Sequence, residues 1–88
     1  MMNKYRVYIQ TSRGSYTIAA GDSVNGLAAL ARSWFLDTSP GRSVYDDMIT
    51  RVILYEFDPK TGAYKFGEQA AATSRRDVLK KLRAMGGR

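Results

Sequence analysis

The feature that most constrains the fold is the signature of a β-hairpin in the second half of the chain. An apolar segment, residues 48–57, precedes the turn sequence DPKTG and an aromatic-rich segment, residues 63–68. Proline fits the first central position of a type I turn, and Gly62 fits the left-handed residue that closes it. Val52, Ile53 and Leu54 make the first segment apolar on both faces, which favours a central strand with a neighbour on each edge.

The length of the turn predicts which residues of the hairpin face each other. We expect Asp58 to lie opposite Ala63, so that an opposite-charge pair and two aromatic pairs form across the strands. One extra loop residue would shift every pair, because side chains alternate between the two faces with period two. The predicted pairs are Phe57 with Tyr64, Glu56 with Lys65 and Tyr55 with Phe66.

Two further patterns precede this hairpin. Residues 4–10 and 15–20 alternate between polar and apolar around the turn sequence TSRG, which predicts an N-terminal hairpin. Residues 23–36 predict an amphipathic helix with an N-cap in the sequence GDS that precedes it. Its Gly26 indicates either an early helical turn or a close backbone contact. Its apolar stripe consists of Val24, Leu27, Ala28, Ala31, Trp34 and Phe35.

A second helix is predicted near the C-terminus, at about residues 74–85. Ser74 is the expected N-cap, Asp77 has the spacing of a capping box, and the glycine pair at 86–87 ends the helix. Residues 37–47 indicate a loop, and residues 69–73 fit either a linker or a helix. The whole pattern predicts an α+β fold in one domain, residues 1–88. The expected architecture is a single antiparallel four-stranded sheet, with element order β-β-α-β-β-α and the first helix packed on one face.

The aromatic residues decide which sheet face is expected to lie under the helix. In the predicted register, one face carries Tyr55, Phe57, Tyr64 and Phe66. An RNA-recognition motif stacks bases on a bare aromatic sheet face, but the element order here differs from that fold. We therefore expect the aromatic face to pack against the first helix, because a one-layer sheet must bury its most apolar face. The other face is expected under the C-terminal helix or a partner, and carries Tyr8, Thr17, Val52 and Leu54.

No pattern in the chain indicates catalysis. Cysteine and histidine are absent, which removes thiolate ligands, the commonest metal ligand and the usual general base at neutral pH. Asp46 and Asp47 would point to opposite faces of an extended strand and so would not converge on one ion. We predict a protein that is not an enzyme and has no metal site or cofactor. The chain also lacks an apolar stretch suited to a membrane span or a secretory signal, which favours a cytoplasmic protein.

Positive charge is concentrated near the C-terminus. The last fifteen residues hold six basic residues and one acid, which accounts for +5 of the net charge of +6. Such a helix face suits contact with a polyanion or an acidic protein surface, although cations near a helix C-terminus are stabilising in any case. The predicted contact residues are Arg75, Arg76, Lys80, Lys81 and Arg83, with Arg42 and Arg13 on loops as lesser candidates.

The order and size of the elements over residues 4–69 are also informative. The segment combines a basic-aromatic hairpin, an Ala-rich helix that begins after Asp22-Ser23, and a second hairpin with a glycine turn at 58–62. In this layout it resembles small phage-encoded modulators such as the anti-CRISPR proteins of class 1 systems, although no functional residue carries over. The resemblance implies a non-enzymatic inhibitor that docks on a nucleoprotein complex. Several such inhibitors are acidic mimics of nucleic acid, whereas a charge of +6 favours contact with an acidic protein surface or with nucleic acid itself.

Three hypotheses about function follow from these observations. The first is a regulator or inhibitor of phage or mobile-element origin that acts through a protein surface. The second is a direct nucleic-acid-binding protein that uses the basic C-terminal helix. The third is a structural subunit that completes its core as a homodimer through a sheet edge.

Overall fold

The computed structural model describes residues 3–36 and 49–86. Within these ranges the chain forms a four-stranded antiparallel sheet in the spatial order β2-β1-β3-β4, and two α-helices. The predicted α+β fold and its element order are therefore confirmed, and β3 is a central strand as expected. The elements are β1 (Tyr5–Thr11), β2 (Gly14–Gly21), α1 (Leu27–Leu36), β3 (Ile49–Asp58), β4 (Ala63–Ala71) and α2 (Arg75–Gly86).

The β3–β4 hairpin has the predicted register. Asp58 lies opposite Ala63, and the three predicted pairs that follow are all present. Gly62 has a left-handed φ of 72°, and its N–H donates to the Asp58 carbonyl oxygen at 2.9 Å. The Asp58 carboxylate accepts a second hydrogen bond, from the Lys60 N–H at 2.9 Å. Backbone and side chain of one aspartate thus hold the turn that sets this register.

β4 extends further than the sequence predicts. Gln69, Ala70 and Ala71 continue the pairing with β3, so residues 69–71 are strand rather than linker or helix. Alanine and glutamine have little preference for strands, and the extension instead follows from the row of backbone groups that β3 offers. Ala72, directly after the strand, is fully buried.

The two helices begin in different ways. A 3-10 turn (Val24–Gly26) leads into α1, and Ser23 at its N-cap position makes no side-chain capping hydrogen bond. In α2 the Ser74 hydroxyl accepts the Asp77 N–H at 3.0 Å, and the Asp77 carboxylate accepts the Thr73 N–H at 3.3 Å. The predicted capping box is therefore present, with its carboxylate reaching one residue further back than the usual motif.

Both helices pack on the same face of the sheet. α1 lies over β2, α2 lies over β3, and the two helices contact each other. The sheet surface beneath them is aliphatic, because β1 and β3 align Val7 with Leu54 and Ile9 with Val52. A single core cluster joins these residues to others from both helices, which include Leu27, Ala31, Val78, Leu82 and Met85.

The predicted assignment of the two sheet faces is wrong for the four aromatic residues, Tyr8 and Thr17, and right for Val52 and Leu54. Val52 and Leu54 belong to the helix-covered core, and the strand register places the four aromatic residues of β3 and β4 on the opposite face, together with Tyr8 and Thr17. The physical reason lies in the neighbouring strand. Arg6 pairs with Tyr55, and Gln10 pairs with Arg51. A helix over the aromatic face would bury two guanidinium groups without acidic partners, which is costly.

A β-bulge at Gly67 interrupts the β3–β4 hairpin. Phe66 pairs with Tyr55 and Glu68 pairs with Leu54, so Gly67 is the extra residue between two paired positions. A Cβ atom at residue 67 would lie 3.0 Å from the Leu54 carbonyl oxygen, which is inside ordinary van der Waals separation. The close approach of the two backbones therefore requires glycine.

Replacement of Gly67 with alanine is expected to lower the free energy of unfolding by about 1–3 kcal/mol, the usual cost of overpacking. The backbone of β3 would have to move, which is harder than moving the end of a flexible side chain. Gly26→Ala is the matched control, since nothing lies within 4 Å of a Cβ atom there. It should leave stability within about 1 kcal/mol of wild type or slightly higher. Urea denaturation measures both variants, and an unchanged midpoint for Gly67→Ala would contradict the predicted contact.

Candidate functional site

The open sheet face consists of the strand residues that point away from α1 and α2. On β1 and β3 these residues alternate with those of the core, and β2 and β4 extend the face on either side. Neither helix covers it. Its members are Ser15, Thr17 and Ala20 on β2, Arg6, Tyr8 and Gln10 on β1, Arg51, Ile53, Tyr55 and Phe57 on β3, and Tyr64, Phe66, Gln69 and Ala71 on β4.

Aromatic rings form a connected group on the open sheet face. Tyr55 packs against Tyr8 on one side and Phe66 on the other, with ring centroids 5.1 Å and 6.4 Å apart and rings nearly perpendicular. A second edge-to-face pair joins Phe57 and Tyr64 at 5.5 Å. Such packing fixes the orientation of each ring. Phe66, on the edge strand, is nevertheless 55% exposed, so ordered aromatic surface faces the solvent.

Two arginines flank these rings. The Arg6 guanidinium lies 4.4 Å from the centroid of the Tyr64 ring, a cation–π geometry. A side-chain hydrogen bond with Tyr8 raises the pKa of Arg6 above its ordinary value, so this group stays charged. Arg51 donates through Nη1 to the Gln69 side-chain oxygen at 3.0 Å. Both guanidinium groups are thus held in place by neutral neighbours rather than by carboxylates.

Acidic residues are missing from the open sheet face as defined above. Glu56 and Glu68, the two glutamates of the hairpin, occupy strand positions on the helix side of the sheet. Lys4 and Glu56 lie 4.0 Å apart with both side chains well exposed, and an ion pair of this kind contributes little to stability. The charge on the open sheet face therefore comes from Arg6 and Arg51 and is positive.

A shallow depression of about 330 Å³ lies within the open sheet face and is lined by Tyr8, Ser15, Ile53, Tyr55 and Tyr64. It offers ring faces, hydroxyl groups and apolar surface. In the described ranges no group of three acidic side chains is placed to hold a metal ion. This chemistry suits noncovalent contact with a flat, polar and negatively charged molecule.

The predicted contact residues of the C-terminal helix lie on the other side of the protein. Arg75, Arg76, Lys80 and Arg83 are exposed and Lys81 is half-buried. Because α2 turns Val78 and Leu82 into the core, its basic side faces away from the open sheet face. We call Arg76, Lys80 and Arg83 the basic ridge. With Ser74 and Asp77 they line a depression of about 490 Å³.

The two lesser candidates occupy different parts of the chain. Arg13 is an exposed residue of the β1–β2 turn, where its N–H donates to the Thr11 hydroxyl at 3.1 Å. Arg42 lies outside the described residues. The structure thus brings the predicted α2 residues together on one helix but does not join them to the open sheet face.

The sequence analysis missed Arg6 and Arg51 as contact residues, and it expected Tyr8 and the four rings of β3 and β4 to be covered. The signal was present in the strand alternation, because residues 6 and 8 lie opposite the face of Tyr5, Val7 and Ile9. An alternating strand whose outward residues are basic and aromatic indicates a face that stays in contact with solvent or a ligand.

Comparison with protein-family models, with curated proteins and with solved structures finds no match to this chain in any of the three. Within residues 3–36 and 49–86, no helix has the length and apolar character needed to cross a membrane.

Proposed function

We propose that this protein is a non-enzymatic nucleic-acid-binding protein that holds single strands on the open sheet face. The observation that carries the proposal is that one sheet face combines an exposed ring, Phe66, and several half-buried rings with two arginines and no carboxylate. Unpaired bases stack on aromatic side chains, and the phosphates beside them need positive charge. The bases of a duplex are already stacked on each other, so they cannot stack on these rings.

The alternation of rings and cations supports this occupant over a purely apolar one. Arg6 lies over Tyr64 and Arg51 lies beside Gln69, so each end of the aromatic group has a fixed guanidinium. Arginine binds phosphate through a rigid fork of donors and also stacks on planar rings. The amide and hydroxyl groups of Gln10, Ser15 and Thr17 add hydrogen-bonding capacity for base edges.

The three sequence-based hypotheses stand in different relations to this proposal. It retains the direct nucleic-acid-binding hypothesis, but moves the principal surface from α2 to the sheet. Docking on a nucleoprotein complex as a phage or mobile-element regulator stays a prediction, and a single-strand-binding face is compatible with it. A homodimer through an edge strand, β2 or β4, is the alternative that this proposal does not favour.

The test is a titration of fluorescent oligonucleotides, followed by anisotropy. The protein titrated is a variant in which the basic ridge is neutralised. It should bind a single strand of about ten nucleotides, within the site sizes that such surfaces occupy, more tightly than a duplex of the same length. With two phosphates neutralised, the slope of log affinity against log salt concentration is about −1.4. Affinity should therefore fall about sevenfold from about 50 to about 200 mM salt. Absence of single-strand binding, or an affinity that does not change with salt concentration, would contradict the proposal.

Self-association is the main competing use of an aromatic face, and light scattering separates it from the proposal. We expect the mass of one chain at micromolar concentration without nucleic acid. A mass of two chains that returns to one on Phe66→Ala would assign the face to a dimer and contradict single-strand binding there.

A further inference from the structure

The basic ridge on α2 is a second charged surface, separate from the open sheet face. Its three cations are exposed, and among the described residues no carboxylate forms an ion pair with them. The acid nearest in sequence, Asp77, uses its carboxylate to accept the Thr73 N–H at 3.3 Å and so serves the helix start. The ridge therefore presents unneutralised positive charge.

The spacing of the ridge fits a phosphate backbone. Arg76, Lys80 and Arg83 follow one another at four and three residues, on one side of α2. They span about 10 Å at 1.5 Å rise per residue, a length that reaches two or three phosphates of a duplex backbone. No aromatic residue occurs in α2, so this surface offers charge without a stacking platform. That combination favours the backbone of a duplex over an unpaired strand.

The two surfaces are far enough apart to act independently. The sheet and its core separate them, and the Cα atoms of the protein extend 37 × 27 × 21 Å. Screening by salt limits the reach of a surface charge to about 10 Å at 0.1 M ionic strength. A strand on the open sheet face would therefore leave the ridge charged and accessible.

We propose that the basic ridge binds the phosphate backbone of a nucleic-acid duplex, so that one molecule joins a duplex to a single strand. The joining step rests on the proposed function of the open sheet face, whereas duplex binding by the ridge does not. Recognition at the ridge is independent of sequence, because phosphate contacts fix position without reading bases.

The test compares two variants that each lose three positive charges. The ridge variant is Arg76→Gln/Lys80→Gln/Arg83→Gln. The control variant is Arg32→Gln/Lys60→Gln/Lys65→Gln, which changes exposed residues of α1, the β3–β4 turn and β4. Wild type should lose duplex affinity about 40-fold between about 50 and about 200 mM salt, from three phosphates at a slope of about 0.9 each. The ridge variant should lose most of that slope and at least about tenfold in affinity at low salt, while the control variant keeps both.

Three results would overturn the assignment of the ridge. The ridge variant could bind the duplex like wild type, or both variants could lose affinity equally, which would indicate net charge alone. The third is ridge-dependent binding to phosphatidylserine vesicles without duplex binding. Circular dichroism shows whether each variant retains its helices. We expect that it does, because glutamine is a good helix former.

Joining is measured by capture of a labelled single strand on beads that carry the duplex. Wild type should capture it, and the ridge variant should fail while still binding the free single strand. Phe66→Ala should fail to capture the single strand while still binding the duplex.

Ridge-dependent duplex binding without any single-strand binding would refute the proposed function and the joining step, yet support the ridge as a duplex site. Capture by both variants at the wild-type level would overturn the joining step.

Discussion

Replacement of Phe66 with alanine is expected to weaken single-strand binding by about 5- to 150-fold, the effect of losing 1–3 kcal/mol of base stacking. Phe66 is the most solvent-exposed ring of the open sheet face, at 55%, and it lies on an edge strand where a base can approach. Its loss would also remove the edge-to-face contact that orients Tyr55, with centroids 6.4 Å apart. The measurement is the anisotropy titration described above.

Two further variants separate stacking from a general loss of apolar surface. Leu36→Ala is the matched control, because Leu36 is 67% exposed but lies on α1; its single-strand affinity should equal that of wild type. Phe66→Tyr keeps a ring in place and should bind within about threefold of wild type, since every base can stack on either ring. Equal losses in Phe66→Ala and Leu36→Ala would refute a stacking role for Phe66.

Replacement of Leu82 with alanine is expected to lower the free energy of unfolding by about 2–5 kcal/mol, the range for truncating a buried leucine. Leu82 is 2% exposed and belongs to the cluster that joins α2 to the sheet. Small domains have only about 5–15 kcal/mol in total, so this single change would remove a large share of the stability. Urea denaturation at 25 °C measures it.

The neighbouring residue supplies the control for Leu82. Arg83 is exposed on the same helix, and Arg83→Gln should change stability by no more than about 0.5 kcal/mol. Together the two variants distinguish the inward side of α2, which holds the fold, from its outward side, which we assign to binding. A loss below about 1 kcal/mol for Leu82→Ala would mean that α2 is not packed as described.

Local patterns predict much of this fold because the deciding interactions lie close together in the sequence. The register of the second hairpin follows from Asp58, Pro59 and Gly62, all within one turn. The cap of α2 follows from Ser74 and Asp77 in the same way. In each case neighbouring residues both choose the conformation and satisfy its hydrogen bonds.

The choice of buried face could not be made from the same patterns. Aromatic content favours burial of the Tyr55 face, but pairing with β1 brings Arg6 onto it. That pairing joins residues about fifty positions apart in the sequence, and its register is not encoded in either strand alone. The candidate site on the sheet was missed for this reason, whereas the ridge on α2 required only the 3.6-residue period of one helix.

The β-bulge at Gly67 also determines which charges the open sheet face carries. Side chains alternate along a strand, so if Gly67 paired opposite Leu54 as an ordinary strand residue, the carboxylate of Glu68 would turn toward the rings and Gln69 toward the helices. Negative charge would then stand beside Arg51, where a phosphate is expected to bind. Loss of the bulge alone, with no change to any side chain, would halve the net positive charge of this face and weaken its attraction for polyanions.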